Sequence, residues 1–351
     1  MKFNSLPRVR LADLPTPLQE LKNFSKKLGG PRIFVKRDDL TGLAFGGNKT
    51  RKLEYIMADA LEKKADYIVT GAGFQSNWCT QAAAAARKLG MKVVLIKSGP
   101  EMGYDPEEYD GNHLLHFLMG AEIKVVRPEE AERVTEETME ELESKGHTPY
   151  LLKATGSTPP GVAGYMNCVL EIMSQTVEMG ISTDYIIHTT GSGGTQAGLI
   201  IGAKAFNTGI KVIASTSGSR SKEEQVNNVY NLLQESLEFM EIDMDISKDD
   251  IIVHTEYSEG GYGFISEEKA YAIKLLAKTE GMFIDPVYTG SALACLIDLN
   301  KKDFFKSDDV VTFIHTGGTA ALFAYKAPLK AYYLGKPFPW NIPPWSSNAS
   351  S

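Results

Sequence analysis

Cysteine is scarce in this chain. Cys79, Cys168 and Cys295 are the only three among 351 residues, an odd number, far apart and without a CxxC spacing. That excludes a disulfide framework and offers no zinc site. The six histidines form no HExxH or other ligand spacing, so no metal is expected. No stretch approaches 18 consecutive apolar residues, and the opening MKFNSLPRVR has no apolar core of a leader peptide. A membrane partner is therefore not expected, and a cytoplasmic protein is. Positive charge is not in surplus either. Lys and Arg number 37 against 44 Asp and Glu, a net charge of −7 that leaves no footprint for nucleic acid or an anionic membrane surface.

What is present is an ordinary globular mixture, 43% apolar and 23% charged, long enough for two lobes with substantial cores. Short β-rich runs alternate with amphipathic segments. After a GGNK loop, Leu53, Ile56, Met57, Ala60 and Leu61 recur at helical spacing. Strands are expected at 67–70, 92–97, 123–126, 150–152, 185–188, 212–215, 251–254 and 310–314. Helices are expected through the alanine run 82–86 and near 113–119, 129–145, 162–179, 195–206, 221–238 and 266–279. Such alternation predicts an α/β fold of parallel sheets with helices on both faces. Sheets of this kind place ligands at the carboxyl ends of their strands. The tail, KPFPWNIPPWSSNAS, is too rich in proline for a helix or central strand. It is expected to pack as a surface strap through Trp340 and Trp345, a contact between subunits being the other reading.

Four stretches place polar groups where chemistry needs them. The first, TGSGGTQAG at 190–198, joins an apolar strand to a helix. Such a junction offers free backbone N–H groups and the positive end of a helix to a phosphate, and four glycines in eight residues exceed what a tight turn requires. The dinucleotide pattern GxGxxG fails at Gln196, and no acidic residue ends the next strand. A nicotinamide-dependent oxidoreductase thus remains only as an alternative from a different class, with Arg220 available to a 2′-phosphate.

The second stretch, GGNKTRKLEY at 46–55, nearly makes a nucleotide-binding loop, but Asn48 separates the glycine from Lys49 and removes that reading. An orphan lysine in one glycine loop and a mono-phosphate cradle in another are both satisfied by pyridoxal 5′-phosphate, whose aldehyde condenses with a lysine. In the third, GAGFQSNWCTQ, the residues Gln75, Ser76 and Asn77 open a helix. They suit either an N-cap or a substrate carboxylate. The fourth, FIHTGGTAALF, puts Thr316 in a loop, where it caps the next helix or faces a ring nitrogen.

In this order GGNKTRKLEY, GAGFQSN, GSGGTQAG, DPVYTG and FIHTGG resemble the fold-type II pyridoxal-phosphate enzymes, which share the tryptophan synthase β-like architecture. Within these they resemble the family of D-cysteine desulfhydrase and 1-aminocyclopropane-1-carboxylate deaminase, over roughly residues 8–330. The resemblance implies two parallel-sheet lobes with the cofactor in the cleft between them. The larger lobe would comprise 1–53 and 166–351, and the smaller, 54–165, would be inserted into it. It implies that Lys49 bonds covalently to the cofactor, beside Asn48, and that Asn77 hydrogen-bonds its phenolic oxygen. Gly191, Ser192, Gly193, Gly194 and Thr195 would bind its phosphate, and Thr316 would face the pyridine nitrogen. Ser76 would hold the substrate carboxylate and move protons, with Tyr262 and Tyr288 as the active-site tyrosines. Gln75, Asn77, Trp78 and Thr289 complete the substrate side. A homodimer is implied.

A lyase acting on a small β-substituted amino acid follows. Thr289 stands where the resembled deaminases carry glutamate, which points to D-cysteine as substrate and to pyruvate, ammonia and sulfide as products. Trp78, Thr80 and Ser291 replace the histidine, arginine and lysine of the desulfhydrases. L-cysteate sulfo-lyase, releasing sulfite, is accordingly the first alternative, and 1-aminocyclopropane-1-carboxylate deaminase the second. Cys79 is expected in the core of its alanine-rich helix.

Overall fold

The computed structural model describes residues 2–99, 106–258 and 261–337; the tail from residue 338, with Trp340 and Trp345, lies outside them. Ten strands are present: β1 (Leu18–Glu20), β2 (Arg32–Lys36), β3 (Tyr67–Ala72), β4 (Lys92–Ser98), β5 (Glu122–Val126), β6 (Pro149–Leu151), β7 (Tyr185–Thr190), β8 (Lys211–Thr216), β9 (Ile252–His254) and β10 (Val310–Ile314). The helices are α1 (Lys22–Leu28), α2 (Asn48–Glu62), α3 (Asn77–Lys88), α4 (Gly111–Leu118), α5 (Ala131–Ser144), α6 (Pro159–Met179), α7 (Gly194–Ala205), α8 (Lys222–Phe239), α9 (Glu267–Glu280), α10 (Thr289–Lys301), α11 (Ala321–Ala324) and α12 (Lys326–Tyr333).

The strands form two sheets, one of six strands ordered β1-β2-β10-β7-β8-β9 and one of four ordered β5-β4-β3-β6. Every pairing is parallel except β1 on β2, a short antiparallel edge. Runs such as VVLI in β4 are buried on both faces, as strands covered by helices on both sides must be. The larger sheet has one core beneath α6, α7 and α8 and another beneath α9 and α10. The fold class is therefore the expected one: α/β, with two parallel-sheet lobes.

Several elements lie outside the sequence expectations, among them β1, β2 and α10. β1 is only three residues long, and β2 is a short run between Pro31 and Arg37. α10 is buried almost all round and has no polar face to produce a helical period.

A buried ionic network fixes α2 against α6. Arg51 pairs with Asp38 and with Glu171, each at 2.8 Å, and Lys36 reaches Glu171 at 2.9 Å. The Tyr165 hydroxyl donates to Asp38 at 2.6 Å. Charges buried this deeply persist only when each is paired and hydrogen-bonded. Because Arg51 lies two residues beyond Lys49, the network also sets where the α2 N-terminus points.

Candidate active site

The carboxyl ends of β3, β7, β8 and β10 and the first turns of α2, α3 and α7 enclose a cavity of about 350 Å³. This is the location that parallel sheets dictate. Of the residues singled out in the sequence, Asn48, Lys49, Ser76, Asn77, Trp78, Gly191, Ser192, Gly193, Thr195, Tyr262, Tyr288 and Thr316 line it.

Lys49 is the second residue of α2. Gly47 precedes the helix at φ +141°, in backbone space that favours glycine. A Cβ there would stand 2.6 Å from Asn77 Nδ2 and closer still to Gln81 Nε2. Gly47 also bridges to Gly317, and the Asn48 N–H donates to the Thr316 carbonyl at 3.0 Å. Asn48 Nδ2 donates to Thr195 Oγ1 at 3.0 Å. Three stretches far apart in the chain are thus tied into one wall. Burial pushes the Lys49 amine down to about 8, opposed by the charge of Asp285.

Ser76 is the N-cap of α3, its Oγ accepting from the Cys79 N–H at 3.4 Å, and Cys79 itself is buried. Trp78 forms an apolar wall, 2% exposed, with Nε1 donating to Thr70 Oγ1 at 2.8 Å. The hydroxyls of Tyr262 and Tyr288 hydrogen-bond each other across rings 5.8 Å apart.

Two expected substrate residues point elsewhere. Gln75 is fully buried, with Oε1 accepting from the Asn112 N–H at 2.8 Å and Nε2 donating to the Asp110 carbonyl at 2.9 Å. Thr289 is fully buried and its hydroxyl donates to the Asp285 carboxylate, which caps the first turn of α10. Backbone groups at the start of α4 take up the Gln75 side chain, and the neighbouring Asp285 takes up that of Thr289. Gly194 sits one layer back from the cavity, its N–H donating to Ser157 Oγ at 3.2 Å.

Sequence reading missed Lys52, Ser157, Thr189, Thr190 and Ser217. Lys52 was detectable, since spacing by three on a helix puts its amine on the same face as Lys49. Lys52 is 1% exposed, lies 3.5 Å from Ser157 Oγ and from the Thr155 carbonyl, and meets no carboxylate within ion-pair distance among the described residues. Burial, with Lys49 nearby, pushes its amine well below the ordinary lysine value. Arg220, considered above only for a 2′-phosphate, also lines the cavity, its Nη1 donating to the Gly191 carbonyl at 3.0 Å.

These groups fit a phosphate-bearing cofactor. The loop Gly191–Thr195 opens onto the N-terminus of α7, and a Cβ on Gly194 would stand 2.8 Å from Lys52 Nζ. Asn228 Nδ2, a buried donor without a partner among the described residues, lies 3.1 Å from the corresponding point on Gly193. A buried lysine amine and an unmet donor at a helix N-terminus form an anion cradle.

Comparison with known proteins agrees. Residues 9–317 match the family model of the pyridoxal-phosphate dependent enzymes, and the chain belongs to that family. A Pyrococcus furiosus protein named "Putative 1-aminocyclopropane-1-carboxylate deaminase" is 41% identical over 92% of this chain and 95% of its own length. A crystal structure described as an "ACC deaminase homologue" superposes with a TM-score of 0.85 at 36% identity, covering 94% of this chain and 99% of that one. The crystal structure of a T.th. threonine deaminase shares the fold, with a TM-score of 0.62 at 18% identity over 86% and 92% of the two chains. The protein is accordingly a pyridoxal-phosphate enzyme of the aminocyclopropane-carboxylate deaminase and D-cysteine desulfhydrase group, and the nicotinamide reading falls away.

Proposed function

We propose that the chain eliminates the β-substituent of a small amino acid, with D-cysteine as substrate and pyruvate, ammonia and sulfide as products. The observation that carries this reading is the cavity lining: among the described residues it holds Lys49, Lys52 and Arg220 but no aspartate or glutamate. Such a wall suits a substrate carboxylate and a leaving group that departs as an anion. Among the described residues it contains no carboxylic acid to assist the opening of a cyclopropane ring.

When bound, the cofactor supplies an aldehyde that condenses with an amine and a ring that draws electrons from the substrate Cα. The chain supplies the rest. Lys52, Ser192, Thr195 and the first turn of α7 hold the phosphate, and Asn77 and Thr316 orient the ring. The neutral Thr316 hydroxyl makes a milder electron sink than a carboxylate would. Ser76 and the free N–H groups of α3 hold the substrate carboxylate. Lys49, its amine lowered by burial, takes the Cα proton. Of the hydrogen-bonded Tyr262 and Tyr288 pair, one phenol retains a proton to give to the departing group. Trp78 keeps water from that side. The same reading includes a smaller lobe at 54–165 inserted into a larger one at 1–53 and 166–351, a homodimer and a cytoplasmic location.

The name of the Pyrococcus relative favours a second reading, deamination of 1-aminocyclopropane-1-carboxylate. One assay separates them. Pyruvate, 2-oxobutanoate, sulfide and sulfite are measured with D- and L-cysteine, L-cysteate, D-serine, β-chloroalanine and the cyclopropane amino acid. Sulfide with pyruvate from D-cysteine supports the proposal. Turnover of the cyclopropane alone supports the second reading, and sulfite from L-cysteate makes the chain a sulfo-lyase.

A further inference from the structure

Behind the Gln75–Asn77 turn lies a closed chain of polar groups that the chemistry above does not use. Helix α4 packs against the turn, and Asn112 Nδ2 donates to the Gln75 carbonyl at 3.1 Å. With Nδ2 so engaged, Asn112 Oδ1 is the acceptor, and it takes the Thr80 hydroxyl proton at 2.9 Å. The one proton of Thr80 being committed, His116 Nε2, 2.8 Å away, is the protonated ring nitrogen and donates to Thr80 Oγ1. His116 Nδ1 then carries a lone pair without a partner among the described residues. Burial, together with Lys97 and His113, holds the His116 pKa well below the usual histidine value, so the ring is neutral. Gln75, Thr80, Asn112 and His116 are all fully buried. In that dry setting this direction leaves the fewest groups unmet, because a Thr80 hydroxyl turned to His116 Nε2 would leave Asn112 Oδ1 as well as His116 Nδ1 without a partner.

The N-terminal end of α4 is also held from its other side. Gly111, at φ +58°, would place a Cβ 3.0 Å from the Ala320 carbonyl, and Lys326 pairs with Asp110 at 2.8 Å. The helix therefore spans from the first turn of α3 to the segment that follows Thr316, two walls of the cavity.

We propose that Thr80, Asn112 and His116 are positioning residues, which hold Ser76 and Asn77 in register with the rest of the site through the backbone of the Gln75–Asn77 turn. This rests on the reading of the cavity as the active site.

The test compares Thr80→Val, which keeps the shape and removes the hydroxyl, with Thr80→Ser, which restores it. Three quantities are read on cofactor-loaded protein: the visible circular dichroism of the bound cofactor, kcat and KM separately, and the melting temperature. Thr80→Val is expected to lower kcat/KM at least tenfold and to shrink the visible dichroism by a third or more. Thr80→Ser should stay within twofold of the parent in both. A valine variant that matches the parent, or a serine variant that falls as far as valine, overturns the proposal. If valine prevents folding, His116→Gln against His116→Leu makes the same comparison, with glutamine expected to retain what leucine loses; equal values overturn the proposal. A parent chain without the visible band of a bound cofactor overturns the site reading itself, a result distinguishable from a loss confined to the variants.

Discussion

Lys52 follows Lys49 by three residues on one helix, and both line the same cavity, with no acidic side chain on its wall among the described residues. Two amines held in so dry a place raise the cost of charging each other. One is to bond covalently and the other to meet an anion, and each role makes a separate demand on protonation.

For Lys49 that demand sets a pH dependence. Its amine is pushed down to about 8, against roughly 10.4 for an ordinary lysine, so the protonated, unreactive form dominates below 8 and the neutral form above. The rate at which cofactor-free protein condenses with pyridoxal phosphate should rise with pH through a midpoint near 8 and then level. Stopped-flow absorbance measures it, and a midpoint near the ordinary lysine value would count against burial as the cause.

Lys52 should behave oppositely once phosphate arrives. Its amine, held well below the ordinary lysine value by burial in the free protein, is raised by pairing with the dianion. Cofactor loading should therefore take up a proton, seen as a dependence of calorimetric heat on buffer ionisation enthalpy. Lys52→Met should abolish that uptake. Loss of a charge-assisted hydrogen bond worth about 1.5–3 kcal/mol should raise the cofactor Kd roughly ten- to a hundredfold.

The tyrosine pair makes a kinetic prediction. Tyr262→Phe and Tyr288→Phe should each lower kcat by roughly 10²-fold, the lower end of what a positioned proton donor contributes. The double variant should cost little more than either single one, because both remove the same hydrogen-bonded unit. Additive losses in the steady-state rates would mean that the two phenols act independently.

Much of this was legible in the chain itself. The alternation of strands and helices, and the glycine loops that admit a ligand to bare backbone, are local signals. They led to Lys49, Ser76, Asn77, Gly191, Ser192, Gly193, Thr195 and Thr316, which the structure brings to one cavity. Side-chain direction was not legible. Gln75 and Thr289 sit beside cavity residues in sequence, yet each is claimed by a partner away from the cavity. For Gln75 the outcome depends on α4 arriving from elsewhere in the chain, and for Thr289 on the Asp285 carboxylate folding back over the first turn of α10. α10 escaped detection because burial on every side erased its period.

Stability should respond to acid through the network beneath α2. Burial alone would raise the Asp38 carboxyl, but Arg51 and then Lys36 hold it below the usual range, and Arg51 does the same for Glu171. Carboxylates lowered in the folded state stabilise it above their unfolded values, about 4, and that contribution disappears as pH falls through the lowered folded values. The urea midpoint should accordingly be flat near neutrality and drop below pH 4. Asp38→Asn, which leaves a buried guanidinium short of a partner, should cost about 3–5 kcal/mol at pH 7 and flatten part of the acid limb.

The most direct measurement is borohydride reduction of the cofactor-loaded protein followed by peptide mapping. A single pyridoxyl label on Lys49, with the yellow colour bleached, is the expected result. A label on Lys52, or a cofactor-bound protein with no lysine labelled, would contradict the account.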